Sequence, residues 1–378
     1  MRCAGRKAGA AQWPWKFFWV VVFSALLNPR RVTLKDIAEQ LGISKTAVSL
    51  ALRKHHSISQ KRQEQVRRLA EKMGYRPDPF LAGLSAYRQS NRPAKIQSAI
   101  AWINHWEQPE RLRGRHREFD AYWKGAVSAA ERIGYHLDEI RWPADCSAKR
   151  FEQILNARGV QGVLIPPHGT QPDWGDFDWG RFSIVRFGLS VTSPDTNMVT
   201  SDQFRAVIMA ATKINQYGYR RIGLVAGDSL DRAVGGNYYG AFCWAQDQLK
   251  LKPALPPLRT FDHARSSVDW ARQKEVLRKW LARHEPDAIL VTAAGTPAML
   301  QELGVRIPRD LAVAGTSVLD LPLDAGIDQH SEAIGRIAVE TLVKQINFAE
   351  RGEPADPCRI LVESRWQDGK SLPPRRPR

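Results

Sequence analysis

The chain has 378 residues, 43% hydrophobic and 25% charged, which is an ordinary globular balance and enough for two or three domains with their own cores. Its net charge of +17 is concentrated at the amino end: residues 1–31 carry six Lys/Arg and no acid, residues 32–92 carry twelve against five, and the other 286 residues hold only +4. Four scattered cysteines (Cys3, Cys146, Cys243, Cys358) without CxxC spacing argue against a disulfide framework or a structural zinc site.

A basic amino end suits a small module that meets phosphates, although a solvated basic surface gives the same count. Within residues 1–31, Arg2, Arg6 and Lys7 precede an apolar run from Phe17 to Leu27 that has the outline of an export signal. The run is too short to span a bilayer, and no small-x-small cleavage site follows it. We expect a mis-assigned start or a disordered extension, with translation beginning near Val32. A membrane anchor is the competing reading, and amino-terminal sequencing separates the two.

Residues 32–76 read as three short helices. Thr33 can cap the first, with Asp36 three positions on, and Leu34, Ile37, Ala38 and Leu41 form its buried stripe. Gly42 permits a sharp turn, Ile43 plugs the core and Ser44 caps a second helix whose Val48 and Leu52 face inward. Lys45, Thr46, Ser49 and Arg53 are left outside, as in a recognition helix that presents polar groups to the major groove. A third helix, from about Gln60 to Met73, buries Val66, Leu69, Ala70 and Met73.

Residues 77–92 read as a hinge and linker. Asp78 and Pro79 open a stretch that is capped like a helix but too short to be stable alone. From Ile96 onward short apolar strands alternate with amphipathic helices. Strands are expected at Ser98–Ile103, Gly162–Ile165, Ser183–Phe187, Ile222–Ala226, Ala288–Thr292 and Leu311–Ala314, with helices between them, which implies a parallel, doubly wound sheet. Residues 93–366 are therefore read as one α/β region, and residues 367–378 as a basic tail.

The run Val32-Thr33-Leu34, Asp36-Ile37-Ala38, Gly42-Ile43-Ser44, Val48-Ser49, Ile58-Ser59 and Tyr75-Arg76-Pro77-Asp78 resembles, without a gap, the headpiece of the lactose-repressor (LacI/GalR) family. More loosely, Gly218–Gly223, Glu302–Asp310 and Gly326–Gln329 followed by Ile334-Gly335 resemble that family's effector domain. The implied fold is an all-α helix-turn-helix headpiece plus α/β, with two Rossmann-like lobes of periplasmic-binding-protein type. The implied function is sequence-specific transcriptional regulation, as a repressor, by a cytoplasmic homodimer on double-stranded operator DNA. A small effector, with a carbohydrate as the leading candidate, would sit in the interlobe cleft. Neither a cofactor nor a metal is expected, and no membrane partner.

The resemblance places DNA contacts at Thr33, Leu34, Ser44, Lys45, Thr46, Ser49, Leu50, Arg53, Ser59, Lys61, Tyr75 and Leu84. Leu84 aligns with a leucine that wedges into the minor groove. Leu50 stands where the family usually has a base-reading arginine; a leucine cannot hydrogen-bond guanine but can contact a thymine methyl. Effector contacts are expected at Asn104, His105, Trp106, Asp202, Asn237 and Gln329. The family's polar motifs have drifted: its arginine is Asn237, its Asn-Asp pair is Ala293-Ala294, and its G-x-D-D is Gly315-Thr316-Ser317-Val318. Thirteen tryptophans keep a carbohydrate in view, because flat aromatic faces suit sugars.

No G-x-S-x-G, P-loop, H-E-x-x-H or dinucleotide fingerprint is found, so the chain is not read as an enzyme. Two rivals stay open: a solute-binding protein with a vestigial headpiece, exported by residues 1–31, and an effector-independent DNA binder.

Overall fold

A computed structural model describes residues 32–52, 57–75, 98–105, 116–143, 145–169, 171–260 and 267–375. It divides into two units, residues 1–84 and 85–378, described here in turn. The extension 1–31, the hinge 77–92 with Leu84, Arg53 and Trp106 lie outside the described residues.

In the first unit, α1 (Leu34–Leu41), α2 (Lys45–Leu52) and α3 (Gln60–Lys72) pack around one small core. The start of α1 is a reciprocal cap. The Thr33 hydroxyl accepts from the Asp36 amide, and the Thr33 amide donates to Asp36 Oδ2 at 2.7 Å. Gly42 ends α1 in the left-handed region, φ 61 and ψ 34, which glycine enters without a steric cost. Ser44 Oγ then accepts from the Ala47 amide at 3.1 Å and starts α2. Ile37, Ala38, Val48, Ala51, Val66 and Ala70 are buried, with Leu34, Leu41, Leu69 and Met73 packed against them.

The second unit holds two six-stranded sheets. The first is ordered β11-β5-β4-β3-β1-β2, from β1 (Ser98–Asn104), β2 (Tyr135–Arg141), β3 (Val160–Ile165), β4 (Ser183–Phe187), β5 (Met198–Ser201) and β11 (Arg359–Val362). The second is ordered β12-β10-β9-β8-β6-β7, from β6 (Ile222–Gly227), β7 (Leu258–Thr260), β8 (Ala288–Val291), β9 (Ala312–Gly315), β10 (Gly326–Asp328) and β12 (Arg365–Gln367). The central strands are buried at every residue, the pattern of strands covered on both faces. All described pairings are parallel except β10 with β12, which is antiparallel and departs from the expected all-parallel sheet.

Helices α4 (Arg117–Arg132) and α11 (Ser331–Phe348) cover one face of the first sheet, over Trp102, Phe187 and Val199. The other face is packed by α5 (Ala148–Ala157) and an aromatic group: Trp142, Phe151, Trp174, Phe177 and Phe182. On the second sheet, α6 (Gln203–Gln216) and α8 (Asn237–Gln248) lie on one face, with α7 (Asp228–Ala233) just before α8. Helices α9 (Ser267–His284) and α10 (Thr296–Glu302) lie on the other. The chain crosses between the lobes three times, after β5, after β10 and after β11.

Where α4 meets α11 the two backbones touch. A Cβ on Gly125 would lie 1.9 Å from the Glu332 carbonyl oxygen, and one on Gly335 would lie 2.0 Å from that of Tyr122. Glycine at both positions permits the middle of α4 to cross the start of α11 this closely, on the face of the first sheet.

Candidate functional site

The first candidate site is the outer face of α2. With Val48 and Ala51 turned into the core, helical geometry sends Thr46, Ser49 and Leu50 to the other side, and Lys45 stands exposed as the first residue of the helix. Lys45 and Thr46 are exposed in the first turn, while Ser49 and Leu50 are half-buried. Ser44 spends its hydroxyl on the cap of α2, and Thr33 spends its own on the cap of α1. Leu34 is half-buried against the core, so its role there is at least partly packing. Ser59 and Lys61 are exposed at the start of α3, where Ser59 makes no side-chain cap bond, and Tyr75 packs against the core just past its end.

The second candidate site is the cleft at the carboxyl ends of the strands. Asn104 ends β1 and is buried; its Nδ2 donates to Glu139 Oε1 on β2 at 2.9 Å. His105 follows, with its ring centroid 5.6 Å from those of Trp142 and Trp174, and its amide donates to His168 Nε2 at 3.2 Å. His168 Nδ1 lies 2.8 Å from the Pro166 carbonyl oxygen, so it carries the ring proton and Nε2 is the acceptor. Burial is the main cause that lowers the His168 pKa to about 4, and the ring is neutral.

Asp202 caps α6 by accepting from the Arg205 amide at 2.9 Å, and Asn237 is the half-buried first residue of α8. Gln329 ties the lobes: Ser201 Oγ donates to its Oε1 at 3.0 Å, and its Nε2 donates to the Thr316 carbonyl at 3.0 Å. Asn104 and His105 are thus engaged within the first lobe, and Gln329 spans from Ser201 beside Asp202 to the loop after β9. Among the described residues Trp102, Trp142, Trp174 and Trp280 are buried in the cores. Their number is therefore no argument for a sugar.

Sequence reasoning missed the tightest contact in the cleft. Glu118, in the first turn of α4, is 4% exposed and reaches across to the second lobe. Ser317 Oγ, in the loop after β9, donates to its Oε1, and Ser331 Oγ, at the head of α11, donates to its Oε2. The Glu118 amide donates to Asp320 Oδ1 at 3.1 Å. Burial raises the Glu118 pKa to about 7 against the two serine hydroxyls, with Asp320 and Asp328 adding to the rise. Tyr122 and Tyr238 are buried beside it, and burial holds both phenols above their usual range. One signal could have found this acid: Glu118, Tyr122, Ala126 and Ala129 share the buried stripe of α4. Among the described residues, no group of His, Cys, Asp and Glu could hold a metal ion.

A helix-turn-helix with an exposed polar helix, joined in one chain to a two-lobed α/β domain with a cleft, defines a DNA-binding transcriptional regulator that answers to a small ligand. The description of bacterial regulatory proteins of the lacI family matches residues 33–78, and that of a periplasmic binding protein-like domain matches residues 211–372. The chain thus carries a lacI-family helix-turn-helix domain followed by a periplasmic binding protein-like domain.

Among curated relatives it is 23% identical over 337 residues to the HTH-type transcriptional repressor PurR of Haemophilus influenzae (strain PittEE), covering 85% of this chain and 93% of that one. It is also 23% identical over 326 residues to the sucrose operon repressor of Streptococcus mutans serotype c, covering 84% and 93%. Among solved structures, the transcriptional regulator CelR in complex with cellobiose aligns with a TM-score of 0.55 at 19% identity, over 90% of this chain and all of that one. A lacI-family regulatory protein from Chloroflexus aggregans aligns at 0.53 and 20%, over 72% and 98%. These two establish likeness of fold. Among the described residues, no helix is long and apolar enough to cross a membrane.

Proposed function

We propose that the chain is a cytoplasmic repressor that binds a palindromic operator as a homodimer and changes its affinity when a small molecule enters the interlobe cleft. The observation that carries this reading is the first turn of α2, where Lys45 and Thr46 are exposed ahead of buried Val48 and Ala51. In the proposal Lys45, Thr46, Ser49, Leu50 and Arg53 face base edges, with Leu50 against a thymine methyl. Thr33, Leu34, Ser44, Ser59, Lys61 and Tyr75 position the headpiece on the backbone, and Leu84 wedges between base steps. Two headpieces would read half-sites about one helical turn apart, which is why a dimer is proposed.

For the effector we propose a small carbohydrate or a derivative, near Asn104, His105, Trp106, Asp202, Asn237 and Gln329. The name of the sucrose operon repressor among the relatives supports that class. A genome-wide footprint of the purified full-length chain tests the whole reading. A protected palindrome with thymine at the Leu50 positions, released by one class of small molecule, is the expected outcome. Protection equal to that of arginine-bearing family members on their own operators would overturn the Leu50 assignment. Ligand binding with no protected site would favour a solute-binding protein.

A further inference from the structure

We propose that Glu118 is a proton-sensitive latch that holds the two lobes together, and that loss of its proton releases them. It rests on the effector reading only in assuming that lobe position matters to DNA binding. The contact is built from both sides. Glu118 belongs to the first lobe through α4, and Ser317 and Asp320 belong to the second through the loop after β9. Ser331 heads α11 at the crossover, directly after His330, which holds a left-handed backbone of φ 55 and ψ 44.

Ser317 Oγ is fixed for this task. It accepts from the Leu319 amide at 3.2 Å and the Asp320 amide at 2.9 Å, which leaves its proton to point at Glu118. The latch therefore also orders the turn after β9. Opening the cleft would separate Glu118 from Ser317 and Asp320 in one step and return the carboxyl to water.

What faces this carboxyl decides the sign. From the second lobe come Asp320 and Asp328, both of which repel a charged Glu118. From α8 comes the Tyr238 phenol, and from α4 itself the Tyr122 phenol, both neutral. His116 Nδ1 lies 3.9 Å from Asp320 Oδ2, and His330 Nε2 lies 3.9 Å from Asp328 Oδ2, so both histidines sit against these neighbouring acids. A groove of 620 Å³, lined in part by Arg117, Asp120, Glu332, Arg365 and Ser331, runs alongside. Ser331 is the residue shared by this groove and the Glu118 contact.

The closed arrangement keeps the Glu118 proton to about pH 7, whereas an open, hydrated carboxyl would lose it near 4.5. A raised pKa in the closed state means that closure is most favoured below 4.5, weakens as pH climbs, and has lost this contribution above about 7. Between about pH 5 and about pH 8.5 the closed-to-open ratio should fall roughly 70-fold.

Hydrogen exchange of the full-length chain, read by mass spectrometry over residues 316–321 and corrected for the intrinsic pH dependence, tests the latch directly. Wild type should show exchange that quickens across this range. Glu118→Gln, which keeps the shape and cannot ionise, should stay slow throughout, and Glu118→Ala should be fast throughout. Ser331→Ala removes a donor that favours the charged form, so its transition should move to higher pH. A Glu118→Gln variant that follows wild type, or a Ser331→Ala transition that does not move, overturns the latch. Operator affinity on the same samples tests the other reading separately: opening without any change in affinity overturns the coupling to DNA and leaves the latch standing.

Discussion

Replacing Gly335 by alanine probes the close crossing of α4 and α11 in the first lobe. The added Cβ would sit 2.0 Å from the Tyr122 carbonyl oxygen and 2.9 Å from the Ala126 nitrogen. A comfortable carbon–oxygen contact is about 3.3–3.6 Å, so α4 and α11 must separate by more than an ångström. Both obstacles are backbone, so no rotamer change relieves them. Overpacking in a filled core costs about 1–3 kcal/mol, and the upper end applies here. Alanine in a helix interior recovers up to about 1 kcal/mol over glycine, which leaves a net loss of about 2 kcal/mol. Urea unfolding followed by tryptophan fluorescence reads it, since Trp102 and Trp123 both pack in this core. Gly125→Ala meets the Glu332 carbonyl at 1.9 Å in the same crossing. One displacement relieves both clashes, so the double variant should cost about 1–2 kcal/mol less than the sum of the singles. A Gly335→Ala loss under about 0.5 kcal/mol, or strict additivity, would refute the close crossing.

Two further outcomes follow from the sites. His168 is neutral in the fold with a pKa lowered to about 4 from 6.5, so the unfolded chain takes up its proton first as pH falls. Stability should drop by about 3 kcal/mol between those values, and His168→Gln should flatten that part of a denaturation-against-pH curve; an unchanged slope counts against the buried neutral ring. Lys61→Ala, at an exposed position opening α3, should weaken binding to operator and random DNA alike and lower the slope of log affinity against log salt by about 0.9. A loss confined to one operator sequence would mean that Lys61 reads bases.

The headpiece was legible because its signals are local. The cap, the turn glycine and the apolar spacing lie within a few residues of one another, and Ile37, Ala38, Val48 and Val66 are buried as their spacing implies. Several buried strands were legible for a similar reason, as short apolar runs such as Ser183–Phe187 and Ile222–Ala226, but buried Met198–Ser201, half of it Thr and Ser, was not. Strands at the sheet margins were not. Tyr135-His136-Leu137-Asp138-Glu139-Ile140-Arg141 is an edge strand whose polar positions face solvent, and Arg359–Val362 is another with only Val362 buried. Their charges hide them in sequence. The cleft was the least legible part, since Glu118 and Ser317 lie 199 residues apart and no local pattern links them. Beside Arg117 and Asp120, Glu118 reads as one more charge at a helix start, where acids are favoured by the helix dipole.

The drift of G-x-D-D to Gly315-Thr316-Ser317-Val318 looks, in sequence alone, like the loss of a carboxylate from the second lobe. In the fold Ser317 meets a carboxyl that arrives from the first lobe, that of Glu118. An acid fixed to the second lobe can serve a ligand without joining the lobes; one carried on α4 joins them with no ligand at all. Ser317→Asp tests this exchange. It would set a second carboxyl against Glu118 in a site already flanked by Asp320 and Asp328, and two such groups cannot both ionise there. The variant should either hold one shared proton or open. Above neutral pH the turn of residues 316–321 should therefore exchange its amides faster than in wild type, and adding Glu118→Gln should restore much of the protection by removing one charge. If Ser317→Asp alone stays as protected as wild type at about pH 8, the second lobe accommodates its own acid and Glu118 has not taken its place.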